Sequence, residues 1–192
     1  LLSMVGQPYV YKFLWAPLMD RFIPPLFGRR RGWIFVMQIL LILTLIGMAM
    51  FSPHTHPVAL AALALTLAIF SASQDTSINA YQTDVLSPQE YGMGATSYIM
   101  GYRVAMVVSG SLALIIAQHF GFQIMYMCMG VLMLVGVVTT CLAPEIPEEK
   151  QIKPHTFKEA VMDPFVEFFT RKGALIAVSI LGVMILYKLG EA

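Results

Sequence analysis

The sequence predicts an all-α fold, a polytopic bundle of transmembrane helices. Three observations carry that prediction. Hydrophobic residues make up 58% of the 192 positions and charged residues only 12%, against about 25% charged in ordinary soluble domains. The apolar residues gather into six stretches, several of them near the roughly 20 residues that a helix needs to cross a hydrocarbon core. Nine of the twelve Lys and Arg residues fall in just two of the connections between those stretches. With a net charge of +1, no excess of either sign points to a nucleic-acid partner. The expected surroundings are the lipid bilayer.

Taken in order, residues 1–19 form the end of one span, and 34–51 the next. A tight turn over 52–57 carries His54 and His56 and leads into a third span, 58–82. The polar turn 83–91 contains Asp84, Pro88 and Glu90. A fourth span covers 92–118, a short turn 119–123, and a fifth span 124–142. Residues 143–172 are a polar linker, after which a sixth span begins. Within the linker, Thr156 and Glu159 have capping-box spacing, with Glu three residues after the cap. Asp163-Pro164 marks a second helix start, since Pro is tolerated in a first turn. Phe157, Val161, Phe165, Phe168 and Phe169 fall along one side. This pattern fits a broken amphipathic helix, either on the membrane surface or packed on the rest of the protein. The chain opens on Leu1, closes on Ala192, and has apolar sequence near both ends, so it is expected to be an internal piece of a longer protein.

Retained Lys and Arg mark the side that is not translocated. Arg21, Arg29, Arg30 and Arg31 in one long connection, and the five cations of the linker in the other, place both in the cytoplasm. The opposite turns hold no Lys or Arg. His54 and His56 read as exposed turn residues rather than half of a metal site, because no further ligands accompany them. Cys128 and Cys141 sit in apolar sequence without metal-ligand spacing and read as small hydrophobes. No cofactor or metal is expected.

Three cations remain inside apolar sequence, Lys12, Arg103 and Lys188, with Asp75 and Glu191 as acidic counterparts. Each such charge costs roughly 2.5–3.5 kcal/mol even on a lenient insertion scale, so each should face a partner or water. The spans 34–51 and 124–142 hold no charge and are expected to face lipid; the other four are expected to line a polar interior. Ser71, Asp75, Asn79 and Gln82 recur along one helical face. Asp75 and Lys12 lie at similar depth, roughly 10 and 12 Å from the same end of their spans, which makes them a plausible ion pair, either a static brace or part of a proton or substrate pathway. Ser97, Gly101, Ala105 and Ser109 form a ladder of small residues suited to close helix contact. Arg103 is near the opposite face, where its guanidinium could hold a carboxylate bidentately or be neutralised by Asp75. Lys188 and Glu191, three apart, pair within a helix or contribute to the pathway.

The connection Ala16-Pro17-Leu18-Met19-Asp20-Arg21, followed by Gly28-Arg29-Arg30-Arg31-Gly32-Trp33, resembles the signature loop between spans 2 and 3 of the major facilitator superfamily. Here it is stretched by residues 22–27, with Pro24-Pro25. The wider string from Tyr11-Lys12-Phe13-Leu14-Trp15 to Trp33 resembles the AmpG muropeptide permease family, with acetyl-CoA transporters as more distant kin. Ser73-Gln74-Asp75, Ala80 and Thr83-Asp84-Val85-Leu86 resemble that family's span 4, although Asn79 stands where a second acid is usual. Tyr187-Lys188-Leu189-Gly190-Glu191 resembles its span 7, where the acid is commonly Asp.

The resemblance implies that this piece holds spans 2–7 of twelve. Residues 1–142 would be the remainder of an N-terminal six-helix half, 143–172 the cytoplasmic linker, and 173–192 the start of the second half. It also implies a gate role for Asp20, Arg21, Gly28, Arg29, Arg30 and Arg31. The implied function is secondary transport across a bacterial inner membrane, as proton-coupled import of anhydro-muropeptides, with protons and an anionic sugar–peptide as partners and a monomer as the expected state. Import of acetyl-CoA or another anionic solute is the nearest alternative. A membrane-embedded transferase would need a nucleophile and base, and no intramembrane His-Asp pair or metal-ligand cluster appears. A non-transporting receptor would not need the gate loop.

Overall fold

The computed structural model describes residues 6–16, 19, 22, 24, 26–51 and 55–144, with scattered positions between 166 and 183. The chain divides into two compact units, Leu1–Ile152 and Lys153–Ala192, and the helices below belong to the first. Asp20, Arg21, Lys188, Glu191 and nearly all of the linker lie outside the described residues.

The first element, α1, is short, Gln7–Tyr11, with Pro8 in its opening turn. It tightens into a 3₁₀ turn over Lys12–Leu14. Four longer helices follow: α2, Arg29–Met50; α3, Pro57–Val85; α4, Tyr91–Phe120; and α5, Phe122–Leu142. Each is long and apolar enough to cross a membrane. Pro57 opens α3, where its missing N–H costs nothing because the first amides of a helix have no intrahelical partner. The turn between α4 and α5 is tighter than the five residues expected. Gly121 alone makes it, at φ +86°, with its N–H donating to Ala117 O at 3.0 Å. A glycine in this left-handed region is the common way to stop a helix. Inside α4, residues Val108–Leu112 form a π turn.

The central helix is α2, which packs against α3 on one side and α5 on the other. Ile34, Met37, Leu41 and Met48 are buried on it, together with Gln38 and Thr44, at the three- and four-residue spacing of one helical face. Ile39, Leu43, Ile46 and Met50 are exposed on the remainder. This modifies the expectation that both charge-free spans face lipid. The outer residues of α5, among them Val131, Val135 and Val138, are exposed, whereas α2 is enclosed on two sides. Apolar helices in a membrane associate through close van der Waals packing, so a lack of charge does not make a span peripheral.

The start of α2 also differs from the expected boundary. The helix begins at Arg29, taking the whole Arg run into its first turn, with Gly28 as N-cap at φ +73°. The preceding loop folds back onto it: Trp33 Nε1 donates to Phe22 O at 2.7 Å. A Cβ on Gly32 would run into Leu26 O and come within 3.0 Å of the Pro24 ring. The close approach of loop to helix therefore requires glycine. Gly32→Ala is expected to lower stability by about 1–3 kcal/mol, the usual cost of overpacking, read as a drop in thermal unfolding temperature in detergent. An unchanged midpoint would mean that the loop can lift away freely.

Candidate functional site

Two polar clusters stand out from the apolar frame. The first is at the end of the unit that carries the Arg run. Three arginines in the first turn of a helix oppose its macrodipole, which favours anions there, and Asp84 in the last turn of α3 is equally misplaced. The structure sets the two mismatches against each other: Arg30 Nε lies 3.1 Å from Asp84 Oδ2. Arg31 is 6% exposed and acts as a cap for another helix. Its Nη2 donates to Thr140 O at 3.2 Å and Cys141 O at 3.0 Å, and its Nε to Thr140 O at 3.3 Å. Those carbonyls belong to the last turn of α5, where carbonyls lack intrahelical partners and the dipole favours cations. The guanidinium also lies 5.2 Å from the Phe27 ring centroid. Tyr81 OH completes the cluster by donating to Pro144 O at 2.7 Å. Thus α2 is tied to the ends of α3 and α5. The sequence placed the Arg run in a gate loop but gave no partner within the same half.

The second cluster joins the N-terminal segment to the middle of α3. Lys12 Nζ is 2.6 Å from Asp75 Oδ2. On either side, Tyr9 OH lies 2.7 Å from Ser71 Oγ and Trp15 Nε1 donates to Ser73 Oγ at 2.9 Å. The second carboxylate oxygen, Asp75 Oδ1, accepts from Tyr98 OH of α4 at 3.0 Å. The pair expected from matched depth is therefore present, and it includes a phenol that the sequence reading passed over as an apolar-span residue. The two charged side chains are 33% and 29% exposed. Asn79, one turn along α3, is exposed. Arg103 is also exposed and makes no ion pair among the described residues, so neutralisation by Asp75 is not observed. The small-residue ladder of Ser97, Gly101, Ala105 and Ser109 is likewise exposed. No group of three or more metal-ligating side chains occurs among the described residues.

Four membrane-length helices, one of them carrying the acidic partner of an ion pair, define a multi-pass membrane protein. The chain belongs to the major facilitator superfamily, whose family model matches residues 4–189. It is 47% identical, over 99% of its length, to the anhydromuropeptide permease of Escherichia coli strain K12, covering 38% of that protein. It is 38% identical, over 98% of its length, to an uncharacterized protein of Haemophilus influenzae, covering 44% of it. The chain thus spans less than half the length of the curated relatives it matches.

Proposed function

We propose that the chain is part of a secondary transporter of the bacterial inner membrane that imports anhydro-muropeptides by proton symport, working as a monomer. In this reading residues 1–142 belong to an N-terminal half, 143–172 form a cytoplasmic linker, and 173–192 open a second half. The observation that supports it best is the Lys12–Asp75 pair: a partly exposed carboxylate inside an apolar span, in a chain similar to a protein named for muropeptide transport. Charges at such depth are costly and are characteristic of ion and substrate pathways. Asp75 carries the coupling proton, with Glu191 as a further acid. Lys12, Asn79 and Lys188 line the pathway, and Arg103 receives a substrate carboxylate. Asp20, Arg21 and the Gly28–Arg31 run work the inner gate.

The decisive experiment is uptake of labelled muropeptide into vesicles carrying the full-length protein, with and without an inward pH gradient. Accumulation that depends on the gradient is expected, and equal uptake in both conditions would overturn proton coupling. For Arg103, replacement by Lys keeps the charge and loses the planar fork. Arg103→Lys is expected to raise the apparent KM about tenfold, the lower end of what one charge-assisted hydrogen bond contributes (about 1.5 kcal/mol), with Vmax little changed. Normal KM in a folded Arg103→Ala protein would remove it from the binding site.

A further inference from the structure

We infer that Tyr9, Tyr98 and Tyr102, grouped around the Lys12–Asp75 pair, form a subsite for the uncharged sugar portion of the substrate, leaving the anionic peptide portion to a different surface. The inference rests on the transport reading above and adds to it which part of the ligand this half receives. Tyr98 is bonded to Asp75, Tyr9 OH lies 2.7 Å from Ser71 Oγ, one turn before Asp75 on α3, and Tyr102 is one turn beyond Tyr98 on α4. All three rings are substantially exposed, at 45%, 39% and 56% for Tyr9, Tyr98 and Tyr102.

Tyrosines of a membrane protein commonly belong to interfacial belts, but depth argues against that here. Tyr98 and Tyr102 lie about 11 and 17 Å along α4 from its start at Tyr91, at ~1.5 Å per residue, near the middle of a hydrocarbon core about 30 Å thick. Being four residues apart, they share a helical face. Lipid would be a poor neighbour for that face, because an ion pair and phenol hydroxyls are costly to leave against hydrocarbon. A water-filled cavity or a polar ligand suits it.

The chemistry of the face selects among polar ligands. Lys12 and Asp75 neutralise each other, so the cluster attracts neither anion nor cation strongly. Both carboxylate oxygens already accept one hydrogen bond, yet each retains a further lone pair, and phenols both donate and accept. Exposed aromatic faces beside such acceptors match a pyranose, which offers an apolar C–H face and equatorial hydroxyls. A peptide carboxylate would meet the carboxylate of Asp75 with Lys12 already engaged. Arg103, about 100° around α4 from Tyr102, is the better place for it.

The test uses the full-length transporter in proteoliposomes, with labelled muropeptide uptake competed by its peptide-free sugar and, separately, by its free peptide. Tyr102 makes no hydrogen bond among the described residues, so Tyr102→Leu should fold. That variant is expected to weaken competition by the sugar about tenfold, the effect of ~1.4 kcal/mol, while competition by the peptide stays as in the wild type. Tyr102→Trp, which keeps an aromatic face, should restore it. Unchanged sugar competition in Tyr102→Leu, or an equal loss for both competitors, would overturn the subsite. If the wild-type protein takes up no muropeptide, the transport reading itself fails, and that outcome is distinct from either of these.

Discussion

Asp75→Asn is expected to abolish uphill accumulation while leaving exchange of substrate between equal pools intact. The carboxamide keeps the shape of the side chain and its capacity to accept from Tyr98, which bonds Oδ1 at 3.0 Å. It loses the negative charge that Lys12 meets at 2.6 Å, and with it the ability to carry a proton. A transporter that can still reorient but cannot couple should bring its substrate to a concentration ratio of about one, however large the pH gradient. An unpaired ammonium at this depth costs several kcal/mol, so the single variant should also express less well. Lys12→Met added to Asp75→Asn should recover expression without recovering coupling. Counterflow and gradient-driven uptake need to be measured on the same vesicles. Survival of both would remove Asp75 from the coupling step. Failure of both, in single and double variants with normal expression, would make the pair a structural brace.

Arg31→Leu is expected to have the largest effect on stability. It would leave two carbonyls at the end of α5 without a donor and remove the contact with Phe27. Hydrogen bonds to a charged group contribute about 1.5–3 kcal/mol each, and the interaction with the helix terminus adds up to ~1 kcal/mol. Since the bonds share one guanidinium and are not additive, a total near 3 kcal/mol is expected, read as a lower unfolding temperature in detergent. Arg31→Lys should fall between, because an ammonium retains the charge but lacks the planar fork. A wild-type midpoint for Arg31→Leu would show that the end of α5 is satisfied in another way.

These two sites differ in how far the sequence revealed them. The Lys12–Asp75 contact was legible because charges in apolar spans are few and their distances from a common membrane surface can be counted. Its third member was not: Tyr98 in a span reads as one more hydrophobic residue, and only the fold brings its hydroxyl to Asp75. The Arg run was legible as a cluster but not as a set of contacts. Arg31 binds backbone carbonyls, which every residue has, so its acceptors leave no mark in residue type. Asp84 could have been found as an acid near the same membrane surface as Arg30, at a helix end where an acid is otherwise unfavourable. The central position of α2 was hidden for a related reason, since packing between apolar helices requires no pattern beyond suitable size.

The π turn at Val108–Leu112 gives α4 two orientations in one rod. A turn of this kind accommodates one residue more than the regular helix, and such turns are frequent at functional sites. The extra residue rotates everything beyond it by about 100°, the angle per residue. Below the turn, Tyr98 reaches Asp75; above it, Ala113 is buried and the helix end packs on α5. An unbroken α-helix with the same sequence could not hold both phases at once. Removing a single residue from Ser109-Gly110-Ser111 would therefore act as a rotation of the lower half of α4 about its own axis, swinging Tyr98 off Asp75 without altering any of the side chains that touch it.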